Sequence, residues 1–128
     1  MIKQAVCALI YRPDNKILGV SRKDDKTKFG LVGGKVEKNE QPTSALIREV
    51  KEETGLEVIS FKECFTTYDD EYWVITYICE VKGDILPQDK LDPSETGVIK
   101  DVTWEELFDG PFGSYNRYLY THLYSPQD

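Results

Sequence analysis

Residues 34–56, which read GKVEKNEQPTSALIREVKEETGL, carry the pattern that decides the fold. The segment Pro42–Thr54 is predicted to be one helix, because proline suits a first helical position, where its missing N–H would be unpaired anyway. Gly55 suits the end of this helix, because glycine adopts positive φ without steric cost. Leu46 and Val50 lie four residues apart and give the helix an apolar stripe to bury.

Three glutamates crowd the last two turns of this predicted helix. Residues three and four apart on a helix are neighbours, with Cβ atoms about 5–6 Å apart, so Glu49 lies beside both Glu52 and Glu53. The negative end of the helix dipole opposes this arrangement as well, and Arg48 alone does not balance three anions. A hard divalent cation such as Mg²⁺, which takes oxygen ligands, would resolve the conflict. A solvated acidic face is the alternative.

The whole stretch resembles the Nudix box. The box reads Gly, five residues, Glu, seven residues, Arg-Glu-aliphatic, one residue, Glu-Glu, one residue, Gly-aliphatic. The matching residues are Gly34, Glu40, Arg48, Glu49, Val50, Glu52, Glu53, Gly55 and Leu56. The chain length, the flanking strands and a late Trp104-Glu105-Glu106-Leu107 segment also look like the family.

The resemblance implies hydrolysis of a nucleoside diphosphate linked to another group. Glu49, Glu52 and Glu53 would hold Mg²⁺, with Mn²⁺ as an alternative, and a backbone carbonyl near Gly34 would be a secondary ligand. Glu49 is the family's candidate for the base that takes the water proton. Arg48 would orient Glu49 and Glu40 through charge-assisted hydrogen bonds.

Residues outside the box are weaker candidates. In some family members the base or a further ligand comes from a later loop, where Glu95 is the best candidate here; a plain solvated acid is the alternative. Arg22 sits where the family often has a phosphate-binding basic residue, although a solvated strand end fits equally well. Phe29 and Tyr72 could stack on a nucleobase, but aromatic residues are more often part of the core.

The substrate is the least determined part of the function. Hydrolysis of a nucleoside triphosphate, including an oxidised one, to the monophosphate and pyrophosphate is narrowly favoured as the reaction. Tyr72, sixteen residues beyond Leu56, is a weak family sign of a dinucleoside polyphosphate hydrolase. The proline that tends to mark ADP-ribose hydrolases is replaced by Glu71. A non-catalytic module that binds a nucleotide is the alternative from another class.

The remaining elements predict an α+β chain with helices packed on a mixed sheet. Within it, Trp104 to Leu107 begins a short helical turn, Ser114 is expected to cap the last helix, and residues 85–96 form a polar loop. The resemblance sharpens the fold to the Nudix fold, an α/β/α sandwich. Strands are predicted at Lys3–Tyr11, Lys16–Ser21, Glu57–Thr67, Tyr72–Val81 and Val98–Trp104, and the last helix at Tyr115–Tyr124.

Composition sets limits on the other function classes. The 128 residues, 40% of them hydrophobic, suit a single domain spanning residues 1–128. No apolar run approaches the ~20 residues that span a bilayer, and no signal peptide is evident, so a cytoplasmic protein is expected. Cys7, Cys64 and Cys79 are expected to be reduced, and His122 is the only histidine, which argues against a Cys–His nucleophile. The net charge of −7 argues against a broad nucleic-acid surface, and monomer and homodimer both stay open.

Overall fold

The computed structural model describes residues 3–87 and 97–125. Within them four strands precede the main helix, and three strands and two shorter helices follow it. A short 3₁₀ turn at Pro13–Asn15 joins the second and third strands. The elements in order are β1 Lys3–Leu9, β2 Tyr11–Arg12, β3 Lys16–Ser21, β4 Phe29–Lys35, α1 Pro42–Thr54, β5 Glu57–Asp69, β6 Tyr72–Lys82, β7 Ile99–Val102, α2 Trp104–Phe108 and α3 Gly113–Tyr124.

The strands form one mixed sheet, as predicted. Their order is β2-β3-β4-β1-β6-β5. Strand β7 is an additional partner of β3, on the edge opposite β4. Strands β1 and β6 run parallel, with Lys3 opposite Tyr72 and Leu9 opposite Ile78, whereas the other described pairs are antiparallel. The parallel pair needs a long connection, and the chain from β2 to β5, which includes α1, supplies it.

Each face of the sheet buries its own apolar cluster. Side chains alternate along a strand, so Val6 and Ala8 of β1 face one side while Leu9 faces the other. The first side packs against the apolar stripe of α1, through Ala45, Leu46 and Val50. The second side packs against Leu107 of α2 and Leu119 of α3. The result is the predicted α/β/α sandwich.

Strand β4 was not predicted, because three of its seven residues are glycines and glycine is depleted in strands. Its first half pairs with β3, through Gly30 opposite Val20, and its second half pairs with β1, through Gly34 opposite Val6. Glycine is required at position 33, because a Cβ there would lie 2.1 Å from the carbonyl oxygen of Val6. Within the described strands, none pairs with the outer edge of the second half of β4.

Several predicted boundaries shift. The first predicted strand is interrupted after Leu9 and continues as β2. Ser114 does not cap the last helix: α3 starts at Gly113, and its N-terminal flanking residue, Phe112, makes no side-chain cap hydrogen bond. The predicted turn at Trp104 is confirmed as α2. Thr103 and Glu106 cap its N-terminus with a reciprocal capping box. Most of the predicted polar loop, residues 88–96, lies outside the described residues.

The cysteines and the lengths of the helices bear on two further expectations. All three cysteines are free thiols, as expected, and Cys79 is buried. Among the described residues, no helix has both the length and the apolar character needed to cross a bilayer.

Candidate active site

Helix α1 carries the predicted catalytic glutamates to the open edge of β4. Its start at Pro42 and its end at Gly55, which has φ of 81°, match the sequence signals. Burial of Leu46 and Val50 against the sheet fixes the rotation of the helix. Glu49 and Glu53, one turn apart, are thereby directed at β4, while the side chain of Glu52 stays 60% exposed.

The open edge of β4 supplies backbone groups to this helix. The N–H of Gly33 donates to Glu53 Oε1 at 2.8 Å, and the carbonyl oxygen of Lys35 accepts from Arg48 Nη2 at 3.1 Å. In a strand, residues two apart direct their N–H and C=O groups to the same edge, so both groups are available because no strand pairs there. The edge therefore locks α1 to β4 by polar contacts as well as by the apolar core.

Gly34 is in direct contact with Glu49. A Cβ at position 34 would lie 2.5 Å from the carboxyl carbon of Glu49 and 2.6–2.7 Å from its two oxygens. The absence of a side chain is thus what lets the Glu49 carboxylate rest on the strand backbone. This packing gives a physical reason for the first glycine of the box.

Arg48 is the hub of the predicted ion pairs. Its guanidinium donates two hydrogen bonds to Glu40, from Nε at 2.8 Å and from Nη2 at 3.0 Å. Nη1 donates to Glu49 at 2.7 Å and to Glu52 at 3.3 Å. The hydrogen bonds from Arg48, and the one that Glu40 accepts from the N–H of Glu37, together lower the pKa of Glu40 to about 2. The predicted orienting contacts of Arg48 with Glu49 and Glu40 are therefore present in the structure.

The glutamates that face β4 hold their protons more tightly than ordinary carboxyl groups. Burial is the main cause that raises the pKa of Glu53 to about 7, with the neighbouring Glu49 and Glu52 adding to it and the Gly33 N–H opposing it. Burial also raises the pKa of Glu49, against the opposing effect of Arg48. A buried, uncompensated carboxyl group is the chemistry that a hard cation would offset.

The donor set fits a divalent cation, although the side chains are not gathered around a single point. Within residues 3–87 and 97–125, no three His, Cys, Asp or Glu side chains lie close enough together to hold a metal ion as they stand. Glu49 and Glu52 instead share the Arg48 guanidinium. The assignment of Glu49, Glu52, Glu53 and Gly34 as the metal site stays a prediction.

A cavity of about 300 Å³ opens on the opposite face of the sheet, beside the second half of β4. Its floor is formed by strands β1, β4 and β6, including Cys7 and Val74, and α3 forms one wall with Asn116. Phe112 and Tyr72 stand at the sides of the cavity. Gly33, Gly34 and Lys35 also line it, so the same three residues contact both the cavity and the glutamate-bearing helix.

The predicted substrate residues are only partly gathered at this cavity. Tyr72 lines it, whereas Phe29 is buried in the core beside α2 and is not among the lining residues. Arg22 lies next to the start of β4, since Ser21 pairs with Phe29, and its guanidinium is held by Asp24 at 2.8 and 3.0 Å. Glu95 lies outside the described residues. The roles of these four residues stay predictions.

Sequence reasoning missed three residues at the cavity. Phe112 precedes α3 and keeps 58% of its surface exposed although it is aromatic. Asn116 is 1% exposed on α3, and its side-chain amide donates to the carbonyl oxygen of Leu107 at 3.4 Å. Lys35 directly follows the box glycine. A buried asparagine in an otherwise apolar helical stripe was the one signal in the sequence that could have suggested a polar site.

Comparison with known proteins decides the family. A family model described as the NUDIX domain matches residues 1–123. The chain belongs to the Nudix family. The resemblance of residues 34–56 to the Nudix box is therefore confirmed, and the match extends over nearly the whole chain.

Individual relatives of this Nudix protein agree with that assignment. An ADP-ribose pyrophosphatase of Methanocaldococcus jannaschii is 51% identical over 49 residues, which are 37% of this chain and only 29% of that protein. The structure of a Nudix hydrolase family member from Chromobacterium violaceum aligns with a TM-score of 0.73 and 27% identity, over 100% of this chain and 82% of that one. The MutT Nudix hydrolase from Burkholderia pseudomallei shares the fold, with a TM-score of 0.75, 21% identity, and coverage of 95% and 98%.

Proposed function

We propose that this Nudix protein is a divalent-metal-dependent pyrophosphohydrolase that acts on a nucleoside diphosphate linked to another group. The observation that carries the proposal is the shared position of Gly33, Gly34 and Lys35. Gly33 and Gly34 contact Glu53 and Glu49 of α1, Lys35 accepts from Arg48, and all three line a cavity large enough for part of a nucleotide. A nucleoside in the cavity would bring its phosphate chain to the acidic helix.

Mg²⁺ is the proposed cofactor, with Mn²⁺ as a substitute, and Glu49, Glu52 and Glu53 would hold it. When bound, the cation neutralises phosphate oxygens and makes water a better nucleophile. The protein's part is to keep the carboxylates in position. Glu53 is anchored by the Gly33 N–H and Glu49 by Arg48 and the bare Cα of Gly34. Arg48 is in turn fixed by Glu40, so the box is one connected set of contacts.

Glu49 is proposed as the base. Water attacks one phosphorus of the bridge, the bond from that phosphorus to the bridging oxygen breaks, and the second phosphate leaves with the bridging oxygen. The proton of the water passes to Glu49. Partial burial raises the pKa of Glu49, which makes it a better proton acceptor than a solvated carboxylate. Glu95 is the alternative base.

The cavity is proposed to hold the nucleoside. Phe112 offers an exposed aromatic ring at the side of the cavity, and stacking on such a ring suits any nucleobase. Asn116 offers an amide that can both donate to and accept from a base edge. One stacking ring and one amide on a floor of apolar side chains are typical of a small-molecule pocket.

A nucleoside triphosphate cleaved to monophosphate and pyrophosphate is the proposed substrate, and oxidised forms belong to the same class. ADP-ribose is a second candidate, favoured by the 51% identity of the M. jannaschii ADP-ribose pyrophosphatase over 49 residues. Glu71, where ADP-ribose hydrolases tend to have proline, argues against it. Dinucleoside polyphosphates are a third candidate, because Tyr72 stands at the family's marker position.

A substrate panel tests the proposal. Nucleoside triphosphates, oxidised nucleoside triphosphates, ADP-ribose and dinucleoside polyphosphates are incubated with Mg²⁺ in ¹⁸O-labelled water. The product that carries the label identifies the phosphorus attacked. We expect turnover of at least one class and its loss on chelation of the metal.

Two matched variants complete this test. Glu53→Gln keeps the shape of the side chain and is expected to lower turnover strongly, because it removes a charged ligand of the proposed metal. Glu80→Gln, an exposed position on β6, is the control and should leave turnover unchanged. If no compound in the panel is cleaved, yet one binds, the chain is the non-catalytic nucleotide-binding module instead.

A further inference from the structure

The part of the sheet beyond α1 has an exposed apolar face. Residues directly opposite in neighbouring strands share a face, so Phe61 lies on the side of Cys79, and Tyr68 lies on the side of Trp73. Cys79 and Ile75 belong to the apolar cluster that α1 covers, and Trp73, two residues before Ile75, faces the same way. Phe61, Tyr68 and Trp73 are nevertheless between 39% and 58% exposed. Among the described elements, α1 is the one that covers this side of the sheet, and it stops short of β5.

Helix α1 adds an apolar side chain to the same surface. Two of its glutamates contact β4, and Leu46 and Val50 face the sheet. Ile47 and Lys51, one turn apart, continue round the helix and lie on the flank toward β6 and β5. Ile47 is 44% exposed there. The outer face is the surface formed by Ile47, Phe61, Tyr68 and Trp73, and several large apolar side chains on one surface mark an interaction site.

Opposite charges flank the outer face. The connection from α1 to β5 is short, so the strand turns back along the helix. Lys51 lies toward that turn, with its ammonium group 3.3 Å from the carbonyl oxygen of Gly55. Glu63 follows Phe61 on the same face, in the direction away from the turn. Within residues 3–87 and 97–125, neither Lys51 nor Glu63 forms an ion pair.

This arrangement of charge makes the outer face complementary to itself. A two-fold axis that lies in the surface beside Ile47 and Phe61 turns the face over onto a second copy, so the positive end of one meets the negative end of the other. Lys51 of one protomer then lies opposite the partner's Glu63, and symmetry repeats the pair. The apolar side chains between the two charged pairs are buried against their counterparts.

Pairing of β5 edges is a different way to join two copies. Strand β5 is the last in the described sheet order, so its outer edge is open. Its ladder with β6 is interrupted by register shifts, one between Val58 and Ser60 and one between Glu63 and Phe65. Bulges of this kind twist an edge strand and hinder regular pairing with another strand. The face of β5 therefore suits a second copy better than its edge does.

We propose that the outer face is a homodimer interface, at which two copies of this chain pack face to face about a two-fold axis and pair Lys51 with the partner's Glu63. This inference does not depend on the proposed function. The glutamates of the candidate site face β4, and the cavity opens on the opposite side of the sheet. Both therefore stay accessible in each protomer of the dimer.

The first experiment measures the dimer by sedimentation velocity of the full chain, from about 1 μM to about 1 mM protein. We expect wild type to dimerise in this range. Phe61→Ser should weaken dimerisation about 100-fold or more, because the dimer loses the aromatic ring twice. Tyr118→Ser is the control, since Tyr118 is also an exposed aromatic residue but lies on α3, across the sheet from α1. A wild-type protein that stays monomeric throughout, or a Phe61→Ser variant that dimerises as wild type does, overturns the proposal.

The second experiment reverses the flanking charges, which are exposed and leave the core intact. Lys51→Glu and Glu63→Lys each replace two attractive pairs by two repulsive ones and should weaken dimerisation about ten-fold or more. Lys62→Glu is the control, because it makes the same change of net charge as Lys51→Glu on the other face of β5, opposite Ile78. It should dimerise nearly as wild type does.

Mixing the two charge-reversed variants tests the symmetry itself. In a heterodimer of Lys51→Glu with Glu63→Lys, both symmetry-related contacts again join opposite charges. An equimolar mixture should therefore dimerise at concentrations where each variant alone is monomeric, and the double variant Lys51→Glu/Glu63→Lys should recover the association of wild type. A mixture that associates no better than its components, or a dimer that responds to none of these changes, as expected for pairing of β5 edges, overturns the proposal.

Discussion

At position 34 the missing side chain has a direct chemical consequence, because the Glu49 carboxylate occupies the space that a Cβ would take. Gly34→Ala is expected to displace that carboxylate while the backbone stays in place, since the clash is with the far end of a flexible side chain. A displacement of about 1 Å at a reacting group costs roughly 100-fold in rate. Steady-state kinetics and thermal melting check this: turnover should fall strongly with little change in Tm.

The same mechanism predicts non-additivity. If Gly34→Ala acts only through Glu49, then Gly34→Ala/Glu49→Gln should be no slower than Glu49→Gln alone. A double variant that is slower by the product of the two single effects would show that Gly34 acts through something else.

Glu40 makes the folded state sensitive to acid. Arg48 lowers the pKa of Glu40 from 4.5 to about 2, so ionised Glu40 stabilises the folded state. This contribution is complete above the unfolded pKa of 4.5 and is lost as the pH falls toward 2. The free energy of unfolding of wild type should therefore exceed that of Glu40→Gln at neutral pH, and the difference should shrink below pH 4.5.

Glu37→Gln is the matched control for that series, followed by urea denaturation at each pH. Glu37 is 70% exposed and lies 3.9 Å from Arg48, so the same change of charge removes a much weaker contact. A difference for Glu40→Gln that is independent of pH, or as small as that for Glu37→Gln, would contradict the prediction.

At the scale of the elements, the stability of α1 depends on the glycine that ends it. Gly55 has φ of 81°, and a Cβ there would lie 2.8 Å from Leu86 Cγ. Gly55→Ala combines left-handed strain of about 1–2 kcal/mol with this overlap. Gly83 is a control with φ of 99° and no atom within 4 Å of an added Cβ, so Gly83→Ala tests the strain alone. Urea denaturation should find Gly55→Ala the more destabilised of the two, and equal losses would mean that Leu86 yields freely.

The difference between α1 and β4 explains what the sequence could predict. Helix α1 is encoded locally, by Pro42, Gly55 and the spacing between them, so its bounds were predicted correctly. Strand β4 contains Gly30, Gly33 and Gly34 and is a strand because β1 and β3, far away in the chain, pair with it. Such pairing is set by tertiary contacts that no local window contains.

The site divides in the same way. The glutamates of α1 share one helix face, so their proximity follows from spacing alone. The cavity instead joins Lys35 of β4, Tyr72 of β6 and Phe112 before α3, three residues that only the folded sheet brings together. Phe29 has the same residue type as Phe112, yet its strand position places it in the core. Residue type alone therefore does not show which phenylalanine lines the cavity.

Across the whole molecule, the two faces of the sheet hold different parts of the candidate site. Helix α1 covers one face and carries the carboxylates, while α3 covers the other and leaves the cavity open. The second half of β4 belongs to both, because its outer edge binds α1 and Gly33, Gly34 and Lys35 line the cavity. Under the proposed function, substrate selection and metal binding could therefore change separately, by substitutions on α3 or on α1.

The glutamates of α1 give the metal-free protein an unfavourable cluster of negative charge. Glu53 is turned toward β4 beside Glu49 and Glu52, at the helix end where negative charge is unfavourable. Glu53→Gln removes that charge and keeps an oxygen to accept from the Gly33 N–H. Without metal, Glu53→Gln should therefore melt at a higher temperature than wild type.

With Mg²⁺ the difference in Tm between Glu53→Gln and wild type should become smaller or change sign. A cation that binds only the folded state stabilises it by about 2.7 kcal/mol when present at a hundred times its Kd, and Glu53→Gln forgoes part of that gain. Thermal melting of both proteins, with chelator and across a Mg²⁺ titration, measures the two effects. A wild-type Tm that ignores Mg²⁺, or a Glu53→Gln variant that gains as much as wild type, would remove Glu53 from the metal site.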